Sequence, residues 1–191
     1  MQNLPRRVRR AALLCGIAFL LSIPAEAQAI HVNRKLSAHP DTPVGSISVS
    51  ATPSSVSFSL VTNGVASGSS AINITTTWTS TLCLFTCTVN LYAYFGSASA
   101  ALSATTGGAI PSSAVLGEVP TGTPTTFTAF TQSNPLGGAG ASLQLYSQSI
   151  TLYTGDSSRT DALSLEINLN GTPQQPAGTY SGTLYIQAQT L

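Results

Sequence analysis

The chain has 191 residues, of which only 7% are charged, and its formal net charge is +1 at pH 7. Ordinary globular domains carry roughly 25% charged residues, so uncharged polar side chains have to provide the solubility. The hydrophobic content of 42% excludes a disordered chain, and the scarcity of Lys and Arg excludes a basic face for nucleic acid.

The N-terminal segment has the pattern of an export signal. The basic stretch "RRVRR" precedes an apolar run over residues 11–23, which is shorter than the roughly 20 residues that span a bilayer. Small residues then provide two cleavage sites, after Ala27 or after Ala29. We therefore predict a signal peptide over residues 1–29 that contacts the membrane only before cleavage, and a product that is secreted, periplasmic or on the cell surface.

Cleavage changes the charge and the cysteine count. The mature chain keeps three basic and five acidic residues, a net charge of −2. Cys15 is removed, and Cys83 and Cys87 remain. An exported chain with two cysteines is expected to oxidise them.

The next segment, residues 30–44, contains His31, His39 and two prolines. It is predicted as a polar lead-in to a domain over residues 45–191, with both histidines in solvent. A catalytic histidine must be fixed by packing, and the chain has no G-x-S-x-G nucleophile elbow. We therefore expect no enzyme and no cofactor.

From residue 46 onward, apolar and polar residues alternate, and turn residues such as "NG" at 63–64 and "NGTPQQPAG" at 170–178 separate the alternating runs. This pattern predicts half-buried antiparallel strands. The fold class is therefore all-β, an immunoglobulin-like antiparallel β-sandwich of about seven to nine strands. Trp78 is expected in the core, Tyr180 is expected to face inward, and 97–104 is the only helical candidate. The alternating runs are 46–52, 55–61, 71–78, 88–95, 142–147, 163–170 and 180–189, with weaker strands predicted at 113–119 and 125–131.

The stretch "CLFTC" places Cys83 and Cys87 four positions apart between two predicted strands. Extended residues at that spacing are about 13 Å apart, whereas a disulfide needs Cα atoms within about 7 Å. A disulfide therefore requires a turn, and we predict a stapled hairpin tip. Leu84 and Phe85 at this tip either cap the sandwich or form an exposed apolar contact.

Tyrosines are the candidate ligand-binding residues of the strands. Tyr92 and Tyr94 share one face by period two. They either form a contact surface that binds glycan or a partner by stacking, or they are ordinary cross-strand packing. The same alternatives apply to Tyr146, Tyr153 and Tyr185.

The acidic residues concentrate in "YTGDSSRTDALSLE". We predict a polar hairpin loop in which Arg159 contacts a carboxylate, and Glu166 on an outer strand face. The alternative is a weak calcium site at Asp156 and Asp161, because Ca²⁺ prefers hard oxygen ligands. The spacing does not fit the D-x-[DN]-x-[DN]-G calcium loop.

Two parts of the chain resemble known families. "LSLEINLNGTPQQPAGTYSGTLYIQAQ" and "ISVSATPSSVSFSL" resemble the closing and opening strands of bacterial immunoglobulin-like modules of the BACON-like kind. "PAGTYSGTLYIQAQTL" is similar to the ending of spore-coat-U and chaperone–usher pilin-like domains, although Gly182 occupies a position that is usually acidic there. The resemblance implies a secreted or surface module, usually without catalysis.

Three hypotheses about function follow. The first is a secreted, non-enzymatic structural or adhesive surface protein. The second is a pilin-like subunit that assembles by strand donation, which implies self-association. The third is a carbohydrate-binding module or minor hydrolase that uses the outer tyrosines or the region from Asp156 to Glu166. The expected partners are further copies of the chain or another cell-surface molecule.

Overall fold

The computed structural model describes residues 28–36, 46–79, 86–134, 139–151 and 156–190. Within these ranges the chain forms thirteen strands and one 3₁₀ turn, Ser112–Ala114. The strands are β1 Gln28–Leu36, β2 Ile47–Thr52, β3 Ser55–Phe58, β4 Val65–Ser67, β5 Ile72–Trp78, β6 Thr86–Phe95, β7 Leu102–Ala104, β8 Ala109–Ile110, β9 Val115–Glu118, β10 Thr128–Ala129, β11 Ser142–Thr151, β12 Ser157–Asn168 and β13 Tyr180–Thr190.

Two sheets form the predicted sandwich. The larger sheet has the order β11–β6–β13–β1–β3, with β7 on β13 and β8 on β7. The smaller sheet has the order β10–β9–β12–β5–β2, with β4 on β12. Several of these strands have only two or three residues, and they raise the count above the predicted seven to nine because such short strands show no alternation.

The core lies between the sheets and follows from the alternation. On β5 the buried residues are Ile72, Ile74, Thr76 and Trp78, and the residues between them face outward or are half-buried. Side chains on a strand point to opposite faces in turn, so one face of β5 supplies the core. Trp78 is only 2% exposed, which confirms the prediction that it anchors the core.

The predicted polar lead-in is wrong for its first part. Strand β1 lies inside the larger sheet, parallel to β13 and antiparallel to β3. Ile30 is fully buried, and the alternate residues His31 and Asn33 are exposed. Burial of alternate apolar residues holds this segment in the sheet. Residues 37–45, with His39, lie outside the described residues.

The helical candidate at 97–104 is also wrong. Residues Leu102–Ala104 form β7, which pairs with β8 across a turn that contains Gly107 and Gly108, both at positive φ. Leu102 is fully buried by this pairing, so tertiary packing overrides the helix propensity of the alanines. The two weaker strands predicted nearby correspond to β9 and β10. Among the described residues, no helix is long and apolar enough to cross a membrane.

Candidate functional site

The outer side of the larger sheet carries tyrosines and amides. On β6, Val89, Leu91, Ala93 and Phe95 are buried in the core, so the residues between them face away from it. Strand β13 lies beside β6 and also alternates between core and outer residues. On its outer side, Tyr185 is opposite Tyr94 and Gln187 is opposite Tyr92. We call this surface the tyrosine face, and its residues are Asn90, Tyr92, Tyr94, Tyr185, Gln187 and Gln189.

Tyr94 is held inside the tyrosine face. Its ring stacks on that of Tyr185, with centroids 5.2 Å apart and planes 23° apart. Its hydroxyl donates to Oε1 of Gln187 at 3.1 Å, and the residue is only 4% exposed. Burial, with a smaller contribution from Tyr185, raises the pKa of Tyr94. Tyr94 therefore serves packing.

Tyr92 and Tyr185 are the more accessible rings of this face, since both are only half-buried. Gln144 on β11 fixes the Tyr92 side, because its Nε2 donates to Asn90 Oδ1 at 2.9 Å and to the Tyr92 hydroxyl at 3.4 Å. Sequence reasoning placed Tyr92 and Tyr94 on one face. It missed their neighbour Gln187, because cross-strand neighbours depend on register.

Tyr146 does not belong to this face. The pairing of β11 with β6 shifts between Gln144 and Tyr146, and this irregularity turns the ring into the core, where it is 2% exposed. The Arg159 guanidinium lies 4.7 Å from the ring centre. Burial is the main cause that raises the pKa of Tyr146 to about 12. Tyr180 is buried as predicted, and Tyr153 lies outside the described residues.

Arg159 and Asp161 form a second polar cluster, in a strand and not in the predicted loop. Both lie in β12 and point between the sheets. Arg159 donates from Nε to Asp161 Oδ2 at 2.7 Å and from Nη2 to Oδ1 at 2.8 Å. Thr121 adds a 2.8 Å hydrogen bond from its hydroxyl to Oδ1, and its carbonyl accepts from Arg159 Nη2.

The ion pair between Arg159 and Asp161 is largely shielded from solvent, so it contributes to the packing of the fold. The Asp161 side chain is 1% exposed and that of Arg159 is 27% exposed. The hydrogen bond to Asp161 is the main cause that raises the pKa of Arg159. Because Thr121 contacts both residues, the pair attaches the turn after β9 to β12. The predicted contact between Arg159 and a carboxylate is confirmed.

The calcium candidates are Asp156 and Asp161. Both oxygens of the Asp161 carboxylate accept hydrogen bonds, so a cation there would have to displace Arg159. Asp156 is exposed and precedes β12. Within the described part of the chain, no group of three or more His, Cys, Asp or Glu side chains is arranged to hold a metal. Glu166 is half-buried on β12 and accepts a 3.1 Å hydrogen bond from Ser67.

The predicted hairpin tip lies outside the described residues, since Cys83, Leu84 and Phe85 all fall there. Cys87 lies at the beginning of β6, opposite Ile150, and packs against the core. The disulfide and the apolar contact at the tip therefore stay predictions.

A cavity of about 670 Å³ opens where β1 begins. Gln28 lines it, donating from Nε2 to the Gly178 carbonyl at 3.2 Å and accepting from the Leu60 amide at 3.5 Å. Sequence reasoning assigned Gln28 to the signal peptide and so missed this residue. Cleavage after Ala27 keeps these contacts, whereas cleavage after Ala29 removes them.

A comparison of the chain with models of known protein families finds no match, and neither does a comparison with curated proteins.

Proposed function

We propose that the protein is an exported, non-enzymatic structural protein of the bacterial cell surface, and that its copies join by exchanging strand β1. The position of β1 carries this proposal. It is the first strand of the sandwich, yet it lies between β3 and the last strand, β13. Its pairing with β13 is the one parallel pairing among the described strands.

The contacts of β1 suit exchange because a second copy supplies them unchanged. Eight residue pairs join β1 to β13, and four join it to β3. Strand pairing joins the backbone of β1 to both neighbours, and Ile30 is buried in the core. Replacing one element by the identical element of a neighbour is the principle of domain swapping. Residues 37–45 join β1 to the rest of the chain in sequence.

Composition supports a role outside the cell. With only 7% charged residues, contacts between copies depend little on ionic strength. The export pattern before residue 28 also supports a role outside the cell. The resemblance of the C-terminal stretch to pilin-like endings supports it as well.

Engineered cysteines test the exchange. His31 and Thr183 are opposite each other on β1 and β13 and are exposed or half-buried. In His31→Cys/Thr183→Cys, a closed monomer cross-links within one chain, and an exchanged assembly links successive chains. After unfolding and refolding at high protein concentration, we expect a ladder of linked chains on a non-reducing gel that collapses to one band on reduction.

The matched control is Ser48→Cys/Thr77→Cys, a pair that joins β2 to β5 within one copy. It should give no ladder under the same conditions. If both variants stay single chains and light scattering finds only monomers at every concentration, the strand-exchange proposal is wrong.

Export has its own test. N-terminal sequencing of the protein released by the producing cell should begin at Gln28 or at Ile30, the residues that follow the two predicted cleavage sites. A start at Gln28 keeps the hydrogen bonds of that residue to Gly178 and Leu60. A sequence that begins at Met1 would contradict a cleaved export signal and leave the exchange experiment unaffected.

A further inference from the structure

We propose that the tyrosine face binds a neutral carbohydrate, with the rings of Tyr92 and Tyr185 as its stacking surface. This inference is independent of strand exchange, because β6 and β13 stay in one copy whichever β1 pairs with them. The proposed ligand of the outer side of the larger sheet is thus a neutral carbohydrate.

The spacing of the two rings suits an extended ligand. Tyr185 is opposite Tyr94 and Gln187 is opposite Tyr92, so Tyr92 and Tyr185 are diagonal neighbours on adjacent strands. Diagonal neighbours in an antiparallel pair lie roughly 7–8 Å apart. A short oligosaccharide laid across the strands therefore reaches both rings.

Both rings are fixed before any ligand arrives. Tyr185 rests on Tyr94, which is itself bonded to Gln187. Tyr92 is bonded to Gln144. A surface whose side chains are already ordered loses little conformational entropy on binding, and tyrosine has few rotatable bonds to begin with.

The side chains on the tyrosine face determine which class of ligand it can bind. Neither β6 nor β13 contains a charged residue, so the strands that carry the two rings have no cation for phosphates or acidic glycans. The charged position beside them is Lys35 on β1, opposite Gln187 at the border of the tyrosine face. The outward positions of β6 and β13 hold no aliphatic side chain. The centre of a protein–protein interface is usually apolar, so the composition of this face favours a sugar over a protein partner. Tyrosine rings accept the apolar face of a sugar, whereas the amides of Asn90 and Gln187 are nearly buried and already hydrogen-bonded within the fold.

One amide on this face has spare bonding capacity. Gln189 lies opposite Asn90 and is 7% exposed, and its Nε2 is buried with no hydrogen-bond partner. A buried donor without a partner costs free energy. A ligand hydroxyl group removes this cost only if the Gln189 side chain turns outward, because its Nε2 atom has almost no exposed surface.

Calorimetric titration of the full mature chain with cellohexaose, mannohexaose and maltohexaose tests the proposal. We expect saturable binding of at least one of them and none of polygalacturonate. Tyr92→Ala and Tyr185→Ala should each weaken binding about tenfold, the effect of losing one stacked ring. Tyr185→Phe should bind nearly as well as the parent because it keeps the ring.

The matched control is Phe127→Ala, which removes an exposed aromatic ring from the segment before β10. It should bind like the parent. Circular dichroism and melting curves establish that each variant is folded, and Tyr92→Ala keeps the test valid if Tyr185→Ala is not folded. The proposal is overturned if no neutral oligosaccharide binds, if both alanine variants bind like the parent, or if those variants only dissolve a dimer seen by light scattering.

Discussion

Asp161 is a buried carboxylate whose two oxygens both accept hydrogen bonds from Arg159. The change Asp161→Asn keeps the size of the side chain and leaves the guanidinium without its counter-charge. Removing one partner of a buried ion pair usually costs about 3–5 kcal/mol, and because Arg159 is 27% exposed we expect a loss of about 2–3 kcal/mol. Urea denaturation measures it.

Glu166→Gln is the control for that change, because Glu166 is half-buried on the same strand and bonds only to Ser67. It should alter the free energy of unfolding by less than about 0.5 kcal/mol. Equal effects of the two substitutions would contradict a structural role for the ion pair.

Tyr146 makes stability fall at alkaline pH. Its pKa is raised to about 12 by burial, whereas an unfolded tyrosine titrates near pH 10. The phenol therefore stabilises the fold fully below about pH 10, and this contribution is lost as pH rises toward about 12. Urea unfolding between these pH values should give a steeper decline for the parent than for Tyr146→Phe. Parallel curves would refute the assignment.

Gly182 gives β13 room for a close neighbour. A Cβ atom at this position would overlap the carbonyl oxygen of Ala101, which explains why a larger residue is absent here. Gly182→Ala should cost about 1–3 kcal/mol, the usual range for overpacking. Gly96→Ala has open space around it and should be close to neutral. The measurement is again urea denaturation, and similar midpoints for both variants would be inconsistent with this packing.

Strand β1 is part of the packed domain, and a substitution at Ile30 tests how much it contributes to stability. Ile30 is fully buried, and its neighbour His31 is exposed. Ile30→Ala should lower the free energy of unfolding by about 2–4 kcal/mol through the cavity it leaves, and His31→Ala should change it by less than about 0.5 kcal/mol. If both substitutions are neutral in thermal unfolding, β1 is only a lead-in.

Alternation predicted the strands that pack against one another in the core. β5, β6, β12 and β13 all follow from it, because half-buried strands must alternate. The alternation did not predict β1, because the apolar residues Ile30 and Val32 are followed by the charged residues Arg34 and Lys35. The beginning of β12 was predicted as a loop because Arg159 and Asp161 are charged, and only their mutual contact allows both to face inward.

The candidate site was predictable in part. Period two placed Tyr92 and Tyr94 on one face, but the stacking partner Tyr185 is nearly a hundred positions away, and only strand register brings it close. Tyr146 looked equivalent in sequence, and the register shift next to it reverses its direction.

For the whole molecule, the scarcity of basic residues predicts resistance to trypsin. From Gln28 onward the only basic residues are Arg34, Lys35 and Arg159, and all three lie within paired strands. Limited digestion of the mature chain should leave a core of almost full length after times that degrade the Asp161→Asn variant. Mass spectrometry that finds early cleavage after Arg159 in the parent would argue against the compact fold.

The position of β1 beside β13 has a consequence for the order in which the chain folds. β1 can pair with β3 soon after both are synthesised, but its longer pairing with β13 has to wait until β13 has been made. Contacts between such distant parts of a chain form slowly. Under the proposed exchange, the β1 strand of a neighbouring molecule competes for this position during that interval, so the local protein concentration would determine which molecule completes the sheet.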